Sequence, residues 1–243
     1  MSELTWPFKD PKRIPFEEKY SNLAERWRID HSLVNYIIRL YTKKLEKALF
    51  LLSKGKKITL PRYFADRRTD AEYIYDLIDG WLVEDIICDA WLKSRLEQIE
   101  PKIKIKHMGT NRDREIQFDS PRRITTKPDF VYQFPSGKEV KIELQMAREL
   151  RNSYDMKESK IKRAIKDGSV IYLWILLPSD EYFLLSPVIF EHREPVPNPR
   201  WGGKKVYTIS ISEVKEKNWG IYSMREAIPF NLYGLLGFTE EER

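Results

Sequence analysis

Apolar residues recur every three or four positions along the first half of the chain, and this spacing predicts amphipathic helices. The first helix is predicted to run to about Ser53, with Asp30 or Ser32 as its N-cap and Gly55 beyond its end. Residues 1–29 contain prolines and show no such period, so we expect an irregular arm there.

A second helix is predicted from residue 70 to about residue 98, after a loop over residues 58–68. Thr69 can cap its N-terminus, and Pro101 cannot continue a helix. Apolar residues lie along one stripe of this segment, which predicts that it packs against a core.

After Pro101 the apolar residues alternate or form short runs, which predicts strands. The predicted strands cover residues 103–107, 115–118, 128–134, 139–147, 170–177, 182–185 and 206–211. A basic helix is predicted over residues 153–167, with Gly168 at its end.

The order of these elements is helices, then an antiparallel meander, then strand, helix and strand. The strand–helix–strand unit predicts two parallel strands joined by a right-handed crossover. We therefore expect an α/β (α+β) fold with a mixed central β-sheet flanked by helices. Residues 1–68 are interpreted as an N-terminal arm and helical annex, and residues 69–243 as the core, together forming one compact unit.

Composition excludes several classes of protein. The single cysteine, Cys88, rules out a disulfide framework and a multi-thiolate zinc or iron–sulfur site. The three histidines are far apart in sequence, which argues against a His-rich metal site. The first residues lack the apolar segment of a signal peptide, and no apolar run is long enough to span a membrane, so we expect a cytoplasmic protein.

Charge is unevenly distributed, although the net charge is only +6. Residues 1–68 hold sixteen Lys and Arg against eight acids, and residues 101–127 hold eight against three. Residues 69–100 hold two against nine. Basic segments around an acidic one fit a protein that binds a polyanion and keeps carboxylates for a cation. Solvated faces that happen to differ in sign explain the same pattern equally well.

The strand predicted around residue 143 carries the candidate chemistry. Side chains alternate along a strand, so Glu143 and Gln145 share one face. Asp129 shares that face if the preceding hairpin closes with a three-residue loop, whereas a four-residue loop would turn it away unless the strand bends at Pro128. Two carboxylates that converge from adjacent strands offer hard oxygen ligands to Mg²⁺.

These residues resemble a known pattern. The segment KPDFVYQFPSGKEVKIELQ, residues 127–145, resembles the motif of the PD-(D/E)XK nuclease superfamily. The resemblance implies a restriction-endonuclease-like fold, with Asp129 and Glu143 as ligands of Mg²⁺ (Mn²⁺ can substitute) and the backbone carbonyl of Leu144 as a third. Gln145 stands where the family usually has Lys, which gives an E-x-Q variant found in some type II restriction endonucleases. Gln145 is then a catalytic residue that orients a water. An ordinary hairpin with polar residues on its wet face is the alternative.

Other residues carry weaker predictions. Glu84 lies on the apolar side of the second helix and is a candidate fourth metal ligand, because the family often places a Glu from its first core helix there; pairing with a Lys is the alternative. Basic and aromatic residues in predicted loops are candidates for DNA contacts, with surface salt bridges or plain loop positions as the alternatives. These candidates are Arg112, Arg114, Arg122, Arg123, Arg148, Arg151, Trp201 and Lys204.

The resemblance predicts a Mg²⁺-dependent endonuclease that hydrolyses DNA phosphodiester bonds. The leading prediction is a type II restriction endonuclease that cuts a specific site in double-stranded DNA as a homodimer. A junction-resolving or repair nuclease of the same superfamily is the first alternative. A catalytically inactive DNA-binding protein of that fold is the second, because Gln145 cannot supply the positive charge of a lysine.

Overall fold

The computed structural model describes residues 6–58, 67–108, 115–116, 118, 127–217 and 220–238. The described parts of residues 1–92 and 110–125 form one compact unit, and those of residues 93–109 and 126–243 form the other. Among these residues, no helix combines the length and apolarity needed to cross a bilayer.

The first unit is helical. Its helices are α1 (Phe16–Tyr20), α2 (Leu23–Trp27), α3 (His31–Ser53) and α4 (Asp70–Asp85), and a π-helix (Ile86–Leu92) follows α4. The prediction of an irregular arm over residues 1–29 is therefore wrong where α1 and α2 lie, whereas residues 6–15 form neither helix nor strand. Helices α1 and α2 have five residues each, too short to show a helical period, and they are stabilised by tertiary packing of Phe16, Tyr20 and Trp27, which are buried.

Helix caps confirm where the two long helices begin. The side chain of Asp30 accepts hydrogen bonds from the amides of Ser32 and Leu33, at 2.7 and 3.1 Å. Thr69 forms a capping box with Glu72, in which each side chain bonds the other residue's backbone amide. The predicted helix from residue 70 to about residue 98 is confirmed, since α4, the π-helix and a short helix, α5 (Lys93–Glu97), follow one another along the chain without a break, although its middle is π-helical rather than α-helical.

The described residues of the second unit form nine strands in two sheets. They are β1 (Lys104–His107), β2 (Phe130–Gln133), β3 (Glu139–Ala147), β4 (Ser153–Lys157), β5 (Val170–Leu176), β6 (Glu181–Leu185), β7 (Val196–Asn198), β8 (Lys204–Ser210) and β9 (Tyr222–Ser223). The helices are α5, α6 (Glu158–Asp167) and α7 (Ile211–Glu216), with 3₁₀ turns at Leu177–Ser179, Pro187–Phe190, Pro199–Trp201 and Phe230–Leu232.

The central sheet has the strand order β1-β2-β3-β5-β6-β9. Strands β3 and β5 are parallel, and every other neighbouring pair in this sheet is antiparallel. The predicted fold class, a mixed central sheet in a chain of helices and strands, is confirmed. A second, antiparallel sheet has the order β4-β8-β7.

Two element predictions after residue 100 are wrong. Glu115 and Ile116 are not in a strand, and Phe118 forms only an isolated bridge with Ile58, so β2 is the partner of β1. Residues 153–157 are strand β4 rather than the start of a helix. Tyr154 and Met156 are both buried and alternate with more exposed residues, which is the period of a strand.

The core of the second unit brings α6 onto the sheet. Ile161 and Ala164 of α6 belong to one buried cluster with Tyr172 and Trp174 of β5. The register of the parallel pair sets Tyr172 opposite Glu143 and Trp174 opposite Gln145, and side chains opposite each other point to the same face. Helix α6 therefore covers the sheet face that carries Glu143 and Gln145.

Candidate active site

The hairpin between β2 and β3 brings the two candidate carboxylates together. Its loop has three residues, because the amide of Phe134 donates to the carbonyl of Lys138 at 2.9 Å, and Gly137 supplies the positive φ of 86° that the turn requires. Phe130 pairs with Ile142, so Asp129 comes opposite Glu143. The loop length on which the shared face depends is thus the one observed.

Backbone and side-chain bonds hold the three motif residues against one another. Oδ2 of Asp129 accepts a hydrogen bond of 2.8 Å from the amide of Leu144. Nε2 of Gln145 donates to Oε1 of Glu143 at 3.3 Å. The carboxylate of Asp129 is therefore fixed to the strand on which Glu143 and Gln145 lie.

Glu143 is in an unfavourable environment for a lone negative charge. It is only 5% exposed. Burial, and then repulsion by Asp129, raises the pKa of Glu143 to about 7, although the attraction and hydrogen bond of Lys160 act in the opposite direction. A buried carboxylate beside a second carboxylate is neutralised by a proton or stabilised by a nearby cation.

Lys160 supplies one such cation, and no local pattern in the sequence places it beside Glu143. Its Nζ donates to Oε1 of Glu143 from helix α6. The orientation of Lys160 toward the sheet can be inferred once α6 is known to begin at Glu158. Lys160 precedes the buried Ala164 by four residues, so the two lie on the same helix face, the one turned toward the sheet.

A small cavity of about 80 Å³ lies beside this cluster, and Gln145, Lys157, Lys160 and Tyr172 contribute to its lining. We call it the lysine cavity. Desolvation, and then repulsion by Lys160 and Lys204, lowers the pKa of Lys157. Burial, and then the charges of Glu143 and Asp129, raises the pKa of Tyr172, which therefore stays a neutral hydroxyl.

The donor set fits a hard divalent cation. Carboxylate and backbone carbonyl oxygens are the ligands that Mg²⁺ prefers. Asp129, Glu143 and the carbonyl of Leu144 would supply them, and Asp129 and Glu143 lie opposite each other on adjacent chain segments. The assignment of these three residues as ligands stays a prediction.

Four of the candidate DNA-binding residues lie in the second unit. Arg148, Arg151 and Trp201 line a larger cavity of about 360 Å³, to which Gln145 and Arg200 also contribute. We call it the arginine cavity. Lys204 is exposed at the start of β8.

The remaining predicted site residues stay predictions. Glu84 is partly buried on α4, in the first unit, and its role as a metal ligand stays a prediction. The other candidates for DNA contacts lie outside the described residues. They are Arg112, Arg114, Arg122 and Arg123.

Comparison with known proteins gives a sparse result. No protein-family model and no curated protein matches the chain. Among solved structures, the chain is similar to Hjc, a Holliday junction resolvase from the archaeal hyperthermophile Archaeoglobus fulgidus, with 14% sequence identity and a TM-score of 0.32. The similarity covers 54% of this chain and 92% of that chain. A likeness at this level identifies no family.

Proposed function

We propose that the protein is a divalent-metal-dependent nuclease that hydrolyses phosphodiester bonds in DNA. The observation that carries this proposal is the cluster of Asp129, Glu143, Gln145 and Lys160 on one face of the β3–β5 pair. It combines two convergent carboxylates, a polar amide and an ammonium, with one carboxylate buried. Structural ion pairs rarely place a second carboxylate beside a buried one, because the two repel.

Asp129, Glu143 and the carbonyl of Leu144 would hold the metal. Bound there, Mg²⁺ supplies a water of lowered pKa and positive charge for the phosphate oxygens. In hydrolysis the water oxygen forms a new bond to phosphorus, one bond from phosphorus to a sugar oxygen breaks, and that oxygen takes up a proton.

The protein's side chains have separate tasks in this scheme. The amide of Gln145 orients the water, which an uncharged group can do. Lys160 provides the fixed positive charge that Gln145 lacks, because its ammonium already contacts Glu143. Arg148 and Arg151, both exposed beside Gln145, bind the phosphates next to the cut.

Two finer assignments follow from the sequence resemblance. It favours a type II restriction endonuclease, a homodimer that cuts a specific duplex site with Mg²⁺. A junction-resolving or repair nuclease is the second candidate, and the inactive DNA-binding protein is the third. The site chemistry is common to the first two.

Incubation with Mg²⁺ separates these candidates. The substrates are a long plasmid and a synthetic four-way junction of the same base composition. We expect cleavage of at least one of them, dependent on Mg²⁺ or Mn²⁺ and absent with Ca²⁺, whose looser coordination does not impose the octahedral geometry of Mg²⁺.

Discrete plasmid fragments would support the restriction endonuclease, and cleavage confined to the junction would support the resolvase. The matched control is Glu139→Gln, which removes an exposed carboxylate from the far end of the same strand and should leave cleavage unchanged. Binding of DNA without cleavage under any metal would refute the proposal and leave the inactive protein.

A further inference from the structure

The arginine cavity begins at the candidate active site. Gln145 lines both this cavity and the lysine cavity, and so do Asp155 and Trp201. Its walls come from the end of β3 and the chain after it, from β4, β5 and β7, and from the 3₁₀ turn Pro199–Trp201. A group bound in this cavity therefore lies next to the water that Gln145 is proposed to orient.

Three aromatic residues, Tyr154, Trp174 and Trp201, contribute to its lining. Tyr154 and Trp174 pack with ring centroids 4.8 Å apart, and Trp174 stacks on Phe183 at 5.8 Å with nearly parallel planes. Trp201 is partly exposed, and the ammonium of Lys157 lies 5.9 Å from its ring. Flat aromatic surfaces in a concave, cationic site are the features that bind a nucleobase without regard to its sequence.

Polar groups in the cavity complement the rest of a nucleotide. Arg148, Arg151 and Arg200 line it and are exposed, and Arg151 pairs with Glu149 at 3.0 Å. Guanidinium groups bind phosphate oxygens through charge-assisted hydrogen bonds. The indole Nε1–H of Trp174 has no hydrogen-bond partner among the described residues, although the side chain is 4% exposed. An acceptor on a bound base or sugar would satisfy this buried donor.

The size of the cavity limits what enters it. A volume of about 360 Å³ is near the lower end of the range for small-molecule sites, roughly 300–1,000 Å³. It suits one nucleotide and is too small for a base pair in its stack. A nucleotide of duplex DNA enters only after it has unstacked and lost its base pair.

We propose that the arginine cavity holds one unstacked nucleotide beside the phosphate that is cut. The preferred substrate is therefore DNA in which this nucleotide is unpaired or weakly paired. The inference rests on the proposed nuclease function. It goes beyond that function by naming the state of the DNA that the site selects.

The test compares two DNA duplexes that have the same sequence, one of them with a single unpaired nucleotide at its centre. Single-turnover cleavage with Mg²⁺ should be at least roughly tenfold faster beside the unpaired nucleotide, since an unpaired base is the easiest to extrude. Trp201→Ala should reduce this preference by roughly tenfold, the effect of losing one stacking contact. Trp201→Phe should retain it, because a flat ring remains.

Phe230→Ala is the matched control. Phe230 is an exposed aromatic residue in the same unit and does not line the cavity, so the preference should be unchanged. A second measurement is independent of cleavage. A fluorescently labelled trinucleotide should bind to Glu143→Gln, and the additional change Trp201→Ala should weaken this binding by roughly tenfold.

The possible results distinguish a failure of the cavity proposal from a failure of the proposed nuclease function. Mg²⁺-dependent cleavage at equal rates on both duplexes would overturn the cavity proposal and leave the proposed function intact. Trinucleotide binding that depends on Trp201, without cleavage of any DNA, would overturn the proposed function but support the nucleotide site. Failure of the trinucleotide to bind would overturn the cavity proposal.

Discussion

At the scale of single residues, the candidate site depends on a conflict between burial and charge. Glu143 is buried, and Asp129 on the neighbouring strand repels it, so its pKa is raised to about 7. Lys160 of α6 pairs with Glu143 and offsets part of this repulsion. A fold selected for stability alone would place apolar side chains here, so the arrangement points to a function.

Asp129→Asn and Glu143→Gln should each reduce Mg²⁺-dependent cleavage by roughly a thousandfold or more, because each removes an anionic metal ligand. DNA affinity should change little or rise, since a carboxylate beside a phosphate is repulsive. Gln145→Ala should be milder, because it removes an orienting group rather than a metal ligand. Single-turnover cleavage and binding measured side by side check this. Normal cleavage rates in both carboxylate variants would show that the catalytic site lies elsewhere.

Lys160→Ala should lower the cleavage rate by roughly a hundredfold, through loss of a charge-assisted hydrogen bond at the site. Lys160→Arg should restore part of it. Lys162→Ala is the control, because Lys162 lies about 200° further around the helix and pairs with Glu158. The measurement is the single-turnover rate at saturating Mg²⁺. Equal rates for Lys160→Ala and Lys162→Ala would assign Lys160 a structural role only.

At the scale of elements, the hairpin loop decides whether a site exists. Side chains alternate along a strand, so the face that Asp129 shares with Glu143 depends on the three-residue loop over residues 135–137. The chain meets this requirement with Gly137 at positive φ.

Insertion of one glycine after Ser136 should abolish cleavage, because the longer loop shifts the register of β2 and turns Asp129 to the opposite face. Insertion of two glycines should restore part of the activity, since two residues return the original alternation. Both proteins should fold, as checked by circular dichroism and thermal unfolding. Equal activity of the two insertion variants would contradict the prediction that the loop length sets the face on which Asp129 lies.

Local signals in the sequence predict some of these elements and miss others. The caps at Asp30 and Thr69 and the alternation around Glu143 act over a few residues, so the helix starts and strand β3 are predictable. Strand β4 is missed because five residues give too short a period, and pairing with β8, more than fifty residues away, decides its conformation. Lys160 is missed as a site residue for the same reason, since tertiary packing brings it to Glu143.

At the scale of the whole molecule, the chain forms two compact units, and the ion pairs of the N-terminal segment belong to the first. Arg13 forms a two-bond pair with Asp76 of α4, at 2.9 and 3.0 Å, and Arg68 also donates to Asp76 at 2.9 Å. This segment is thus integral to the first unit. The predicted domain boundary at residue 68 stays a prediction.

Asp76→Asn should destabilise the protein by about 1–3 kcal/mol at neutral pH, the range for hydrogen bonds to charged groups. Burial raises the pKa of Asp76, but the hydrogen bonds and charges of Arg13 and Arg68 outweigh it, so the net pKa is lowered. The stabilisation is therefore complete above the ordinary carboxyl pKa of about 3.9 and is lost as pH falls through the lowered value. Urea unfolding between pH 7 and pH 2.5 should show the two proteins converging in acid. A constant difference would contradict the assignment.

The parallel pairing of β3 with β5 has a consequence for the order of folding. Asp129 and Glu143 belong to one hairpin, so they meet after closure of a short loop. Pairing of β3 with β5 requires closure of a much longer connection, which contains β4 and α6. The amide of Asp129 bonds across the hairpin to Ile142, and the amide of Lys141 bonds across the parallel edge to Ser169. In pulsed hydrogen exchange during refolding, the Asp129 amide should become protected before the Lys141 amide. The carboxylates would then meet early in folding, before Lys160 arrives to pair with Glu143, and a cation from solution would be their first partner.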